Sequence, residues 1–290
     1  MKIALIGADG QLGTDIYKYF SEKGLNITGL TQKEIEVCDV NICNDVLVKI
    51  KPELIINTAA FHKVDDCEDE VATTFAVNVE GVKNLAKVCL EINAALMHFS
   101  TDFVFGGYTK DTPFTEEDCP KPISIYGISK LAGEYVIQYL LKKYYIIRVC
   151  GLYGYAGSLG KGSNFVELMI KLAKEGKDIR VVNDQILTPT STKDVTEKLY
   201  ELIKTRKYGL YHMTNTGSCS WYEFACEIFK LTGFSPNITP TTSEAFGAKA
   251  RRPAYSVLDN AHLRANGLKD MRRWKESLKD YIEHRPEYKK

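Results

Sequence analysis

The stretch KIALIGADGQLG, residues 2–13, decides the fold of this chain. It opens with a short apolar run of the kind that forms a buried strand, and a helical pattern follows it. Between the two lie Gly7, Gly10 and Gly13, spaced GxxGxxG rather than the commoner GxGxxG. The first glycine permits a tight turn, the second lets the backbone approach a pyrophosphate, and the third allows close helix–strand packing. The stretch therefore predicts a nucleotide-binding unit, and an ordinary glycine-rich turn is the alternative.

Further short β-rich runs follow this unit, separated by helical segments at 43–51, 70–93 and 124–143. The runs are NITGLT, ELIINTAA, ALMHFSTDFVF and YYIIRVCGLYG. Strands without polar alternation, connected by helices, indicate a parallel sheet covered on both faces. We therefore predict an α/β fold with a doubly wound, Rossmann-type parallel sheet.

The pattern changes after Gly151, where a glycine-rich loop is expected over 154–164 and later elements become shorter. We predict a smaller C-terminal lobe that binds substrate. The dinucleotide-binding domain is expected to comprise residues 1–150 and roughly 179–214. The substrate lobe is expected to comprise residues 151–178 and 215–290.

Bulk properties exclude several classes of protein. The 290 residues carry a formal net charge of +1, so no basic field is available to attract nucleic acid or an anionic membrane. No apolar stretch is long enough to span a membrane, and the first apolar run is too short for a signal peptide. The eight cysteines show no zinc-ligand spacing, so we predict no metal site and a cytoplasmic location.

Candidate catalytic residues occur in two places. Ser100, Thr101 and Asp102 end a predicted strand, and ligands bind at the carboxyl edge of parallel sheets. Tyr126 and Lys130 are four residues apart and so share one helix face. A nearby ammonium brings a tyrosine closer to ionisation, and the pair can deliver a proton to a carbonyl oxygen. Strand-end capping and a chance pair on an amphipathic helix are the alternatives.

These motifs together resemble the extended short-chain dehydrogenase/reductases, and the resemblance covers nearly the whole chain. Within that family the chain is similar to reductases of nucleotide-linked 4-keto sugars. The motifs that carry the resemblance are GADGQLG (7–13), INTAAFHKVDDCE (56–68), FAVNVEGVKNLA (75–86), STDFVFGG (100–107), YGISKLAGE (126–134), NFV (164–166), DQILTPT (184–190) and RRPAYSVLD (251–259).

The resemblance implies a role for each catalytic residue. Tyr126 would protonate the C4 oxygen of a dTDP-linked 4-keto sugar while hydride leaves NADPH or NADH. Lys130 would bind the nicotinamide ribose and lower the pKa of Tyr126, and Thr101 would hydrogen-bond the substrate oxygen. A requirement for Mg²⁺ and assembly as a homodimer are left open.

The resemblance also implies two sets of binding residues. Those implied for the cofactor are Gly7, Gly10, Gln11, Leu12, Gly13, Asp39, Val40, Ala59, Ala60, Asn78, Ser100, Tyr126 and Lys130. Those implied for the substrate are His62, Val64, Asp102, Phe103, Asn164, Gln185 and Arg252.

Two departures from the usual pattern leave details open. The second strand ends in Thr31, Gln32 and Lys33 without the acid that grips a ribose 2′-hydroxyl, so the choice between NADH and NADPH stays open. His62 stands where the family usually has threonine; an imidazole can still hydrogen-bond a sugar hydroxyl, and a solvent-exposed histidine after a strand end is the alternative.

Two other functions were weighed. A nucleotide-sugar epimerase or dehydratase would use the same scaffold, but related dehydratases carry an Asp–Glu pair after the threonine and here Phe103 follows Asp102. Other relatives are non-catalytic regulatory subunits of methionine adenosyltransferase. The intact Thr101, Tyr126 and Lys130 favour an enzyme.

Overall fold

The computed structural model describes residues 1–156 and 163–285. Most of the glycine-rich loop expected over 154–164 therefore lies outside the described residues. The strands, in chain order, are β1 Lys2–Ile6, β2 Asn26–Leu30, β3 Leu54–Asn57, β4 Ala95–Thr101, β5 Tyr144–Val149, β6 Leu152–Tyr153, β7 Ile179–Val182, β8 Ile186–Leu187, β9 Thr190–Ser191, β10 Gly209–His212, β11 Cys219–Ser220 and β12 Ile238–Thr241.

Helices alternate with these strands. They are α1 Gln11–Glu22, α2 Val40–Ile50, α3 Val64–Asp69, α4 Val71–Phe75, α5 Val82–Ile92, α6 Ile125–Leu140, α7 Phe165–Lys174, α8 Thr192–Thr205, α9 Trp221–Thr232, α10 Ser243–Phe246, α11 Ala261–Ala265 and α12 Trp274–Glu283. A π-helical segment, Ala76–Gly81, precedes α5, and a short 3₁₀ helix, Asp102–Val104, follows β4.

Six of the strands form one parallel sheet in the order β2-β1-β3-β4-β5-β10. The chain leaves β1 toward β2 on one side and later returns to β3 on the other, so the direction of winding reverses between β1 and β3. This is the doubly wound, Rossmann-type topology, and ligands bind at such a switch point beyond the carboxyl ends of the strands. The predicted fold class is confirmed.

Apolar residues on both faces of the strands explain why the sequence runs lack alternation. Ile3 and Leu5 pack in one core cluster, which includes side chains of α1 and α8. Ala4 and Ile6 point to the opposite face and pack in a second cluster, which includes side chains of α2, α5 and α6. Helices on both faces therefore hold the sheet in place, as expected for buried parallel strands.

A smaller lobe is built from α7, β7, α9, β12 and α12 around its own core. Strand β7 pairs in parallel with β12 in this lobe. This differs from the predicted boundary, which assigned residues from about 179 to the dinucleotide-binding domain. The reason is that a strand's partner is fixed by long-range pairing, which local pattern does not reveal. Helix α8 packs against α1, and β10 completes the main sheet.

Candidate active site

The glycine turn between β1 and α1 forms a close-packed cradle. Gly7 has φ of +76° and donates its amide hydrogen to Leu30 O at 2.8 Å. A Cβ on Gly13 would overlap the Gly7 carbonyl, and a Cβ on Gly7 would lie 2.5 Å from Thr58 Oγ1. Gly10 caps α1 without any side-chain hydrogen bond. The first-turn amides therefore face outward beside a backbone surface without side chains, and this fits the pyrophosphate of a dinucleotide.

The other residues expected at the start of the cofactor site line the same sheet edge. Gln11 and Leu12 form the first turn of α1, and Gln11 Oε1 is buried with no hydrogen-bond partner among the described residues. Asp39 caps α2 by accepting hydrogen bonds from Asn41 N and Ile42 N at 2.8 and 3.2 Å. Val40 follows it and is exposed.

The loop after β3 is held in shape by Asn78. Its Oδ1 accepts from Phe61 N at 2.9 Å, and its Nδ2 donates to Phe61 O and to Ser129 Oγ, each at 3.0 Å. Asn78 therefore ties the loop that carries Ala59 and Ala60 to helix α6. The buried carboxamide has a positioning role in addition to the cofactor contact expected from the sequence.

Helix α6 starts from a well-fixed N-terminus. Ser124 accepts a hydrogen bond from Gly127 N at 3.2 Å, and Glu68 accepts one from Ile125 N at 2.9 Å. Gly127 lies so close to Phe103 O that a Cβ would overlap it. These contacts fix Tyr126, in the first turn of the helix, beside the end of β4.

Tyr126 is partly exposed and is contacted by residues that follow β4. Its ring meets that of Phe103 edge-on at 5.7 Å. Burial raises the pKa of Tyr126, and a hydrogen bond with Thr101 acts in the opposite direction. Thr101 also donates to Asp102 Oδ1 at 3.0 Å. The phenol is therefore protonated at neutral pH, the form in which it can donate a proton, and the raised pKa makes it a weaker acid than a tyrosine in water. The expected lowering of this pKa by Lys130 is not observed: burial raises the pKa of Tyr126, and the side chains that act on it are Thr101, Asp102 and Cys67.

Lys130 lies on the same face of α6, one turn further on, and points into the sheet. Its Nζ lies 3.1 Å from His98 Nε2, and the other ring nitrogen of His98 lies 3.1 Å from Asn57 Nδ2. Lys130 is 2% exposed and His98 is fully buried. Burial lowers the pKa of Lys130 to about 8, while the carboxylate of Glu134 acts to raise it.

Sequence reasoning missed His98 and Asn57. Both occur in strands whose other residues are mostly apolar, and they meet only because β3 and β4 pair with Asn57 opposite His98. That register is a long-range property, so no local signal identifies the pair.

Ser100, Glu134 and Arg148 form a buried group next to the candidate catalytic residues. The Ser100 hydroxyl donates to Glu134 Oε1. Arg148 donates to both oxygens of Glu134, from Nε at 2.9 Å and Nη2 at 2.6 Å. The hydroxyl of Ser100, which was expected to lie along the cofactor, therefore makes its hydrogen bond inside the protein, to Glu134. The spacing of Glu134, four residues after Lys130, is the signal that would have indicated it.

Two residues expected to bind substrate, Asp102 and Arg252, already have protein partners. Asp102 is buried and accepts a hydrogen bond from Cys150 Sγ at 3.0 Å, and burial raises its pKa. Arg252 binds Asp65 through two nitrogens, at 3.1 and 2.8 Å. Asp65 follows Val64, the first residue of α3, so the structure brings Arg252 to the start of this helix, two to three residues after His62.

Asn164 and Gln185 make their hydrogen bonds within the smaller lobe. Asn164 caps α7, and its Nδ2 donates to Gly154 O at 2.8 Å and Tyr281 Oη at 3.1 Å. Gln185 Nε2 donates to Ser243 Oγ at 2.9 Å. The structure thus places the hydrogen-bond partners of both residues within the protein, and their contact with a nucleotide sugar stays a prediction.

Within residues 1–156 and 163–285, no helix combines the length and apolar character that crossing a membrane demands. The same ranges contain no cluster of three or more His, Cys, Asp or Glu side chains arranged to hold a metal ion.

Comparison with known proteins gives one consistent result. The family described as RmlD substrate binding domain matches residues 1–286. A spore coat polysaccharide biosynthesis protein of Bacillus subtilis, SpsK, is 39% identical over 98% of this chain and 98% of its own. The crystal structure of a dTDP-4-dehydrorhamnose reductase from Clostridium acetobutylicum is 42% identical, with a TM-score of 0.92 over 98% and 99% of the two chains. That of Bacillus anthracis, in complex with NADP, is 39% identical, with a TM-score of 0.92 over 97% and 99%.

The glycine turn, the doubly wound sheet and the helix bearing Tyr126 and Lys130 define an oxidoreductase of the extended short-chain dehydrogenase/reductase class. Within that class, the chain belongs to the RmlD substrate-binding-domain family. The resemblance found in the sequence is thereby confirmed, as is the expectation of a nicotinamide-dependent reductase.

Proposed function

We propose that this protein reduces the C4 keto group of dTDP-4-dehydro-L-rhamnose, also called dTDP-6-deoxy-L-lyxo-4-hexulose, to dTDP-L-rhamnose. The observation that carries the proposal is the meeting of Tyr126 and Thr101 at the carboxyl edge of β4, on the same edge as the glycine turn. The two crystal structures described above support this choice of substrate, because each is of a protein named dTDP-4-dehydrorhamnose reductase.

The chain's own residues divide the work of the reaction. The reduced nicotinamide supplies the hydride when it is bound. Tyr126 gives its proton to the C4 oxygen, and the Thr101 hydroxyl orients that oxygen and the phenol together. Burial disfavours the resulting tyrosinate, so Tyr126 takes up a proton again before the next turnover. Lys130 lies on the same helix face as Tyr126. Burial lowers its pKa to about 8, so its charge changes with pH just above neutrality.

The test is an assay of the purified protein with the dTDP-4-keto sugar and NADPH, and separately with NADH. We expect oxidation of the nicotinamide, seen as loss of its ultraviolet absorbance, and stoichiometric formation of dTDP-L-rhamnose. An unchanged absorbance with both cofactors contradicts the proposal. Epimerisation without net cofactor oxidation would instead indicate the epimerase alternative.

The choice of cofactor and a requirement for Mg²⁺ are tested in the same assay. NADP is the nucleotide in the Bacillus anthracis structure, so we expect NADPH to serve here. Addition of EDTA tests a requirement for Mg²⁺. We expect the protein to act in the cytoplasm in polysaccharide biosynthesis, and light scattering of the purified protein tests the homodimer.

A further inference from the structure

The contact between His98 and Lys130 belongs to a chain of hydrogen bonds with a defined direction. It begins at Ala59, whose backbone N–H donates to Asn57 Oδ1 at 3.1 Å. This bond orients the carboxamide of Asn57 and leaves its Nδ2, which can only donate, 3.1 Å from His98 Nδ1. His98 Nδ1 must therefore be the ring nitrogen with the lone pair.

The tautomer of His98 follows from this direction. A neutral imidazole has one N–H and one lone pair, so a bare Nδ1 implies a protonated Nε2. That Nε2 lies 3.1 Å from Lys130 Nζ. Burial also holds the pKa of His98 well below its usual value, so the ring is neutral near pH 7. In this tautomer an N–H faces Lys130 Nζ, and only the amine form of the lysine can accept that hydrogen bond.

We propose that Asn57 and His98 are positioning residues that bias the protonation of Lys130: His98, as the Nε2–H tautomer, donates to the amine form of Lys130 Nζ and so favours loss of the lysine proton in the free enzyme. Two other arrangements are worse. If Lys130 were an ammonium and Asn57 kept its orientation, both side chains would donate to the His98 ring. Neither ring nitrogen could then carry a proton, whereas a neutral imidazole always carries one. Turning the carboxamide of Asn57 would place its NH₂ against the N–H of Ala59.

The charges around Lys130 agree with this assignment. Burial lowers the pKa of Lys130 to about 8, and an N–H facing the amine acts in the same direction. Glu134, on the same helix, acts to raise it, but Arg148 from β5 and Ser100 from β4 already bind that carboxylate.

Other titratable groups near α6 act elsewhere. Cys67 of α3 and Asp102 after β4 act on Tyr126, and Glu68 of α3 binds Ile125 N at the helix start. Besides burial and Glu134, the described group that bears directly on the charge of Lys130 is therefore His98, whose tautomer is set by the hydrogen bond at Ala59.

The inference rests on the proposed function for its catalytic consequence alone. The ammonium form of Lys130 eases ionisation of Tyr126, and it exists below the pKa of the lysine. The value of kcat/KM should therefore fall as the pH rises through a Lys130 pKa at or below about 8. Asn57 and His98 keep this pKa low.

The first test reads the tautomer directly, without substrate. Long-range ¹H–¹⁵N spectra of the histidine-labelled protein distinguish protonated from bare ring nitrogens. The signals of His98 are those lost in H98Q, or, should that variant not fold, those with contacts to the Asn57 side chain. A protonated Nε2 with a bare Nδ1 supports the proposal, and the reverse overturns it. This result is independent of whether the protein reduces the proposed sugar.

The second test reverses the direction of this series of hydrogen bonds with a near-isosteric substitution. In N57D both carboxylate oxygens accept, from Ala59 N–H and from His98 Nδ1–H, so His98 turns its lone pair to Lys130 and favours the ammonium. We expect the tautomer to reverse and the alkaline fall of kcat/KM to move up by about one pH unit or more. The matched control is N93D, the same change at an exposed asparagine. An unchanged tautomer in folded N57D, or an unchanged alkaline limb, overturns the proposal.

Discussion

At the scale of single residues, burial shifts the pKa values of Tyr126 and Lys130 more than their hydrogen bonds and charged neighbours do. Tyr126 has an elevated pKa because it is desolvated, and the hydrogen bond with Thr101 offsets only part of this. Lys130 has a lowered pKa for the same reason. The two groups are therefore closer to their neutral forms than solvent-exposed counterparts are. The phenol of Tyr126 is therefore in its protonated form at neutral pH.

Replacing Tyr126 with phenylalanine tests the acid role. We expect kcat to fall by about 10²–10⁴-fold, the usual contribution of a general acid. The packing of the ring against Phe103 is kept, so the affinity for NADPH, measured by fluorescence titration, should change little. A variant that turns over normally would remove Tyr126 as the proton donor.

Gly13→Ala tests the close packing of the glycine turn. The added methyl overlaps the Gly7 carbonyl, so we expect loss of NADPH affinity together with a lower Tm. At Gly10 the methyl would lie 3.2 Å from the same oxygen, so Gly10→Ala should be milder in both measurements. Equal effects of the two changes would contradict this account.

The sequence predicted Thr101, Tyr126, Lys130 and the three glycines as site residues because each belongs to a local pattern at fixed spacing. It did not identify Asn57 and His98, since their contact depends on strand register. It also assigned Ser100 to the cofactor, whereas its hydroxyl binds Glu134 in the structure. Local chemistry is readable from sequence, but the partners of a side chain across the sheet are not.

At the scale of elements, helix α6 carries the proposed catalytic residues on one face. Tyr126, Lys130 and Glu134 recur every four residues, and each contacts a residue of β4 or its end. Gly133 permits the close approach of the π-helical segment, because a Cβ there would lie 2.6 Å from Asn78 O. The helix is thus fixed along its length as well as at its start.

Removing Arg148 tests how firmly α6 is joined to β5. Arg148→Met leaves the Glu134 carboxylate buried without its cation, so we expect a loss of about 3–5 kcal/mol in the free energy of unfolding. The double variant Arg148→Met, Glu134→Gln removes the charge as well and should recover part of that loss. Urea denaturation measures both.

The control for this comparison is Lys83→Met, which breaks an exposed ion pair with Glu80. We expect it to cost less than about 1 kcal/mol. A cost for Arg148→Met no larger than that of the control would show that Glu134 does not depend on the arginine.

At the scale of the whole molecule, charged contacts join the last helix to the sheet domain. Asp280 of α12 binds Lys193 Nζ and Arg272 Nη2, each at 2.8 Å, and Arg272 also binds Asp194 of α8. Burial acts to raise the pKa of Asp280, but the hydrogen bonds from Lys193 and Arg272 give a net lowering. The carboxylate therefore stabilises the fold while it is charged.

The pH dependence of stability follows from that sign. A carboxyl whose pKa is lowered by folding contributes stability above its unfolded pKa, and this is lost as the pH falls through the folded value. We expect Asp280→Asn to lower the urea midpoint at neutral pH. Its difference from the wild type should shrink below about pH 4. A difference that is constant with pH would show that the charge of Asp280 is not involved.

The last strand of the main sheet comes late in the chain. Strand β10 pairs with β5, yet some sixty residues of the smaller lobe and α8 separate them in sequence. Its His212 lies 3.3 Å from Arg148 Nη1. On the ribosome, β5 therefore emerges with one edge uncovered and Arg148 lacking this neighbour. Since synthesis adds about 5–20 residues each second, the nascent sheet stays open for several seconds. During that interval an unpaired edge strand is open to association with other chains, which makes this the step at which chaperones should matter most.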